Sequence, residues 1–267
     1  MKLSISNIAW ATNYDEEMYS FLSEIGFKAI EIAPTRIFPE NPYDKINEAR
    51  SWAIKLKHDF DLEISSMQSI WYGRNENIFN SPHEKEVLLE YTKKAILFAE
   101  AIKCHNLVFG CPKNRDTKLD FSKALLASRD FFQQIGDFAN LHNTVFAIEA
   151  NPTIYNTHFM NYTKEAFNLA ETVFSAGLKV NVDLGTILQN GEDISILSHY
   201  SDLINHVHIS EPNLEIISER KLHSDLFMLL KKINYKSYVS IEMKNCNDIE
   251  NVKRIALYVK KCNEGGL

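Results

Sequence analysis

The 267 residues, 45% of them hydrophobic, suffice to bury one large core, and no Pro-, Gly- or Ser-rich stretch offers a linker, so a single domain over residues 1–267 is expected. The 29 Lys and Arg mix along the chain with 35 Asp and Glu for a formal net charge of -6, which leaves no basic face for a phosphate backbone and argues against nucleic acid as a partner. The N-terminus meets Asn13 and three acids before any long apolar run, no stretch approaches the roughly 20 apolar residues of a membrane span, and the four cysteines lack CxxC spacing; a cytoplasmic protein with reduced thiols and no membrane partner is expected.

Short apolar runs alternate with longer amphipathic segments from one end to the other. Residues 3–10 (LSISNIAW) are the first predicted strand, followed by a helical pattern over 15–25. Residues 28–34 and 62–71 are the next two strands, with helices over 46–59 and 84–101 behind them. The fourth and fifth, 105–112 and 144–151, precede helices over 121–141 and 164–174. Strands at 178–186, 204–210 and 238–244 complete the series, with helices over 223–233 and 248–260. Eight strands wrapped by helices match an α/β (β/α)8 TIM barrel. An open doubly wound sheet is the alternative, but no GxGxxG turn follows any strand.

Successive strand residues face opposite sides, so in a barrel every second side chain points to the axis. In TVFAIEAN, Phe146 and Ile148 face the helices and Glu149 faces in; in KVNVDLG, Val180 and Val182 face out while Asn181 and Asp183 face in. In NHVHIS, His206 and His208 face in; in YVSIEMK, Ser240, Glu242 and Lys244 share the inward phase. Glu149, Asp183, His208 and Glu242 each lie near the C-terminal end of a strand, where barrel enzymes build their sites. Three carboxylates and an imidazole on one rim repel one another unless something positive lies between them. A single divalent ion, Mn, Mg, Co or Zn, suits that donor set; pairing of each residue with its own Lys, Arg or amide is the structural alternative.

The motifs IEAN at Glu149, VDLGT at Asp183, HVHISEP at His208 and VSIEM at Glu242 resemble those of the xylose isomerase-like barrel superfamily over nearly the whole chain. Its sugar isomerases, ketose 3-epimerases and hydroxypyruvate isomerases carry Glu, Asp, His and Glu on strands five to eight. The resemblance implies that Glu149 and Glu242 are metal ligands that also move the proton. Where the ketose 3-epimerases have His, Arg and a second Glu, this chain has Thr186, Leu214 and Tyr155. HVHISEPNL followed by His223 is more similar to a subgroup described as sugar phosphate isomerases or epimerases. Homodimers are common among similar barrels, and the sequence leaves the oligomeric state open.

A metal that polarises a carbonyl and its neighbouring hydroxyl acidifies the C–H between them and stabilises a cis-enediolate. Glu149 and Glu242 as an acid/base pair then give a sugar or sugar phosphate isomerase or epimerase. The alternative is a lyase or dehydratase acting on a keto-sugar or keto-inositol with the same chemistry. A phosphodiesterase with a multinuclear zinc cluster would need more histidines at strand ends. A non-catalytic sugar-binding barrel would not need paired carboxylates on a metal. Candidate substrate-binding residues at other strand ends and loops are Trp10, Glu31, Gln68, Trp71, Arg74, Asn151, Tyr155, His158, His223 and Lys244. Trp10 and Trp71 suit the apolar face of a sugar or, equally, the cap of a barrel core. His206 reads as a residue packed behind the metal site.

Overall fold

The computed structural model describes residues 1–266. Its strands are β1 Lys2–Ile5, β2 Ala29–Ile32, β3 Glu63–Met67, β4 Leu107–Phe109, β5 Phe146–Glu149, β6 Leu178–Asp183, β7 Ile204–Ile209 and β8 Tyr238–Ile241. All are parallel, in the order β1-β8-β7-β6-β5-β4-β3-β2. A parallel bridge between Ser6 and Glu31 joins the two ends of this sheet, so the strands form a nearly closed TIM barrel.

Nine α-helices are present among the described residues: α1 Asp15–Glu24, α2 Pro34–Ile37, α3 Ile46–Phe60, α4 Pro82–Ala101, α5 Phe121–Leu141, α6 Thr163–Val173, α7 Leu184–Asn190, α8 Lys221–Lys232 and α9 Ile249–Glu264. The long ones begin at side-chain caps. Ser81 accepts from the Glu84 amide with Pro82 at the first turn of α4, Asp120 caps α5, and Asp248 caps α9. None of these helices is long and apolar enough to cross a membrane.

The apolar core lies between strands and helices. Phe146 on β5 and Phe109 on β4 meet Phe131 and Phe132 of α5, directly or through Trp71, in a run of aromatic contacts. Inside the barrel, by contrast, small polar side chains replace the branched apolar layers common in this fold. Ser65 donates to Ser4 (2.9 Å), Gln68 to Ser6 (3.0 Å) and Asn106 to Ser66 (2.8 Å). Pairing makes this tolerable, since a lone buried polar group costs about 1–3 kcal/mol.

All eight predicted strands run past their real C-terminal ends, the first and the sixth well into the helix that follows. The first stops at Ile5, because residues Asn7–Ala9 turn into a 3-10 helix and Asn7 accepts from the Ala33 amide. The sixth stops at Asp183, whose carboxylate caps α7 by accepting from the Thr186 amide at 2.8 Å. Apolar residues on both sides of that cap made one run of what is a strand and a helix.

Candidate metal centre

Parallel pairing sets the site. In the β5–β6 and β6–β7 ladders Glu149 lies beside Asn181, and Asp183 beside His208; His208 in turn lies beside Ser240. Glu242 follows β8 directly, its amide donating to the Ile209 carbonyl at 2.9 Å. One donor atom from each of Glu149, Asp183, His208 and Glu242 falls within 4.8 Å of the others.

Three of the four candidate ligands are held from behind. Glu149 accepts from Asn151 on one carboxylate oxygen (3.0 Å) and from Asn181 on the other (2.6 Å). Asp183 accepts from the amide and hydroxyl of Thr186 and from the Ser210 hydroxyl. Thr186 is therefore engaged by Asp183 and by the Ala150 carbonyl. His208 turns Nε2 to Glu31 (2.8 Å), which leaves Nδ1 3.2 Å from both Glu149 and Glu242. A carboxylate on the far nitrogen of a metal-binding histidine fixes the ring and raises its basicity.

The electrostatics fit a cation. Burial, followed by the Glu149 carboxylate, pushes the pKa of Asp183 up; burial likewise raises Glu242, with Glu31 and Asp183 adding to it. Burial opposes charge on His208, but Glu31 and Glu242 outweigh it and hold its pKa well above the usual imidazole value. Burial likewise opposes charge on Glu31, which His208 and His206 overcome, so its pKa is lowered. In the metal-free chain the imidazolium is the only positive group the cluster itself contains. A hard divalent ion bound by oxygens and one imidazole supplies the charge that is short.

These shifts set a pH dependence. Asp183, Glu242 and His208 all bind protons more tightly folded than unfolded. Their stabilising contributions are complete below the unfolded pKa values, near 4 for the acids and 6.5 for the imidazole, and are lost as pH rises through the folded ones. Glu31 contributes in the opposite sense, lost only in acid. Chelator-treated protein should therefore lose stability as pH rises above about 5, measured by urea unfolding at several pH values. Saturating Mn²⁺ should flatten that slope, and a stability that rises over the same range would contradict the assignment.

Of the other residues singled out from the sequence, Asn151 and Glu31 make direct contact with this centre. Asn151 touches Glu149 directly. Tyr155 accepts from the Asn213 amide at 2.9 Å, and burial, then Asp183, pushes its pKa up to about 12. Glu31, read from the sequence as a substrate contact, is fully buried behind His208, and also lies 3.3 Å from His206. Gln68 is bonded to Ser6 and Ser69 inside the barrel. Trp10 donates to Asp15 and stacks beneath Arg36.

The structure does not gather the rest. Trp71 donates to Thr92 and packs edge-on against Phe109 and Phe131, in the layer between barrel and helices. Arg74 pairs with Glu76, and exposed His158 with Asp116. His223 sits on α8 against Tyr258 of α9, where burial lowers its pKa to about 4. Lys244 lies beyond the end of β8, exposed and paired with Glu215, so the inward phase does not extend to it. Two residues at the centre were absent from the sequence-based set. Asn181 shares the inward phase of Asp183 and was recoverable from it; Arg115 has no such periodic signal.

Fold and site together define a barrel of the xylose isomerase-like class. The chain belongs to the xylose isomerase-like TIM barrel family, whose profile matches residues 19–262. A D-psicose 3-epimerase from Clostridium cellulolyticum H10, solved with D-tagatose, is 14% identical with a TM-score of 0.80, over 99% of this chain and 98% of that one. The IolI protein, solved with a zinc atom, is 15% identical with a TM-score of 0.70, over 98% and 96%. A probable 3-DHS dehydratase of petrobactin synthesis from Bacillus anthracis is 17% identical with a TM-score of 0.67, over 98% of each chain. At these identities the likeness concerns the fold alone. No curated protein matches the sequence.

Proposed function

We propose that this chain is a divalent-metal-dependent sugar isomerase or epimerase that moves a proton at the carbon next to a carbonyl. The observation that carries this reading is the placement of Glu149 and Glu242, each 3.2 Å from Nδ1 of the same imidazole, on a four-ligand set at the mouth of the barrel. The sugar epimerase among the structural relatives supports it.

Glu149, Asp183, His208 and Glu242 would hold the ion, which supplies polarisation of a bound carbonyl and its neighbouring hydroxyl. Glu149 takes the proton from one face of the substrate carbon, and Glu242 delivers one to the other face or to the adjacent carbon. Asn151 and Asn181 keep the Glu149 carboxylate aimed as it changes charge. Glu31 keeps His208 turned toward the cluster.

We further read the substrate as an uncharged polyhydroxy carbonyl compound rather than a phosphate ester. Most cations on the loops that follow the strands are already engaged: Arg36 with Asp15, Arg74 with Glu76, His158 with Asp116, Arg220 with Glu211 and Lys244 with Glu215; exposed Lys113, which donates to Asn75, and exposed Lys118 stand outside these pairs. Breaking such a pair to grip a phosphate would leave a carboxylate without its partner.

The test is proton-to-deuterium exchange in D₂O with metal-loaded protein and a panel of free ketoses, ketose phosphates and keto acids. We expect deuterium beside the carbonyl of a free ketose, with phosphate esters at least about tenfold slower. Faster exchange into the esters would overturn the substrate reading. Loss of water from a keto compound, with no deuterated substrate returned, would replace the isomerase by a dehydratase.

A further inference from the structure

Arg115 is fully buried, yet among the described residues no carboxylate accepts from its guanidinium. It lies in a short 3-10 helix, Pro112–Arg115, after β4. Nε donates to the Gly110 carbonyl (2.7 Å), and Nη1 to the carbonyls of Phe159 and Met160. Nη2 donates to the backbone carbonyl of Glu149 (3.0 Å) and to the side-chain oxygen of Asn151 (2.7 Å). Burial pulls its pKa down to about 10, which still leaves it cationic at neutral pH.

We infer that Arg115 is a positioning residue for the metal ligand Glu149, acting on its backbone directly and on its carboxylate through the Asn151 amide. A guanidinium can only donate, so the oxygen of Asn151 must face Arg115 and its NH₂ must face Glu149, where it donates at 3.0 Å. Arg115 thereby selects the amide orientation that favours an ionised, correctly turned Glu149. The strand ends are drawn close here: a Cβ at Gly110 would lie 3.0 Å from Oε1 of Glu149 and 3.3 Å from Oδ1 of Asn151. Five donor contacts from one rigid fork tie the ends of β4 and β5 to the loop before α6, and a flexible ammonium cannot reproduce them.

This inference rests on the metal reading, and Co²⁺ titration of the full chain separates the two. The wild type, Arg115→Lys, Asn151→Ala and the double variant are compared by visible absorption, with folding checked by circular dichroism. Each single variant should bind Co²⁺ about 10- to 100-fold more weakly with an altered visible spectrum. The double variant should fall well short of the product of the two single effects, because the route to the carboxylate runs through both residues. A purely structural arginine would lower the melting temperature while leaving the folded protein's Co²⁺ affinity and spectrum unchanged, and that result would overturn the inference. So would single effects that multiply in the double variant. If Arg115→Lys fails to fold, Asn151→Ala decides alone, since the other contacts of Arg115 persist. A wild type that takes up no Co²⁺ removes the metal reading and this inference with it.

Discussion

Glu149→Gln and Glu242→Gln should each lower metal-supported epimerisation by about 10²- to 10⁴-fold, the usual contribution of a positioned acid or base. Glutamine keeps the shape but cannot ionise. The two variants should also fail differently. If the carboxylates serve opposite faces of the substrate carbon, the protein lacking one should still exchange the proton of the epimer served by the other, without inverting it. Deuterium wash-in from each epimer separately, at saturating Mn²⁺, reads this. Glu149→Gln carries an additional defect, because both its oxygens now accept from amide NH₂ groups, of Asn151 and Asn181. A glutamine NH₂ must face one of those donors, so its metal affinity should fall further than that of Glu242→Gln. Loss of less than tenfold in both variants would remove them from the chemistry.

His208→Leu should destabilise the metal-free protein by about 3–5 kcal/mol, because it leaves a buried charge without its main partner. Glu31 is completely buried, its Oε1 has no hydrogen-bond partner, and after the substitution only His206 remains, at 3.3 Å. Burial lowers the pKa of His206, so it is a poor replacement cation. Adding Glu31→Leu should recover most of the loss, since an apolar pair in place of a buried ion pair is often neutral. Urea unfolding near pH 6, where His208 is charged in the parent protein, gives both numbers. A cost below about 1 kcal/mol, or a double variant no more stable than the single, would mean that Glu31 is not charged in the folded chain.

The barrel and its four candidate ligands were legible because both depend on local alternation. Apolar residues at every second position of β5 to β8 fix which side chains point inward, and Glu149, Asp183, His208 and Glu242 share that phase. The phase says nothing about depth, which the stagger between strands sets. Glu31 was accordingly read as inward but not as lying behind His208. Lys244 shows the other limit, since alternation stops carrying information where β8 ends. Trp71 and Arg115 depend on contacts far along the chain: Trp71 on Thr92 and Phe131, Arg115 on carbonyls 34 to 45 residues away. No spacing rule encodes such partners. The capping of α7 by Asp183 had a local mark, an Asp three residues before a Thr, but the apolar run across it concealed the break.

The most direct measurement is anomalous diffraction from crystals of the full chain grown with Mn²⁺. One strong peak about 2.2 Å from a carboxylate oxygen of Glu149, Asp183 and Glu242 and from Nδ1 of His208 is the expected result. No peak at saturating Mn²⁺, or a peak bound elsewhere with these four side chains still paired among themselves, would contradict it.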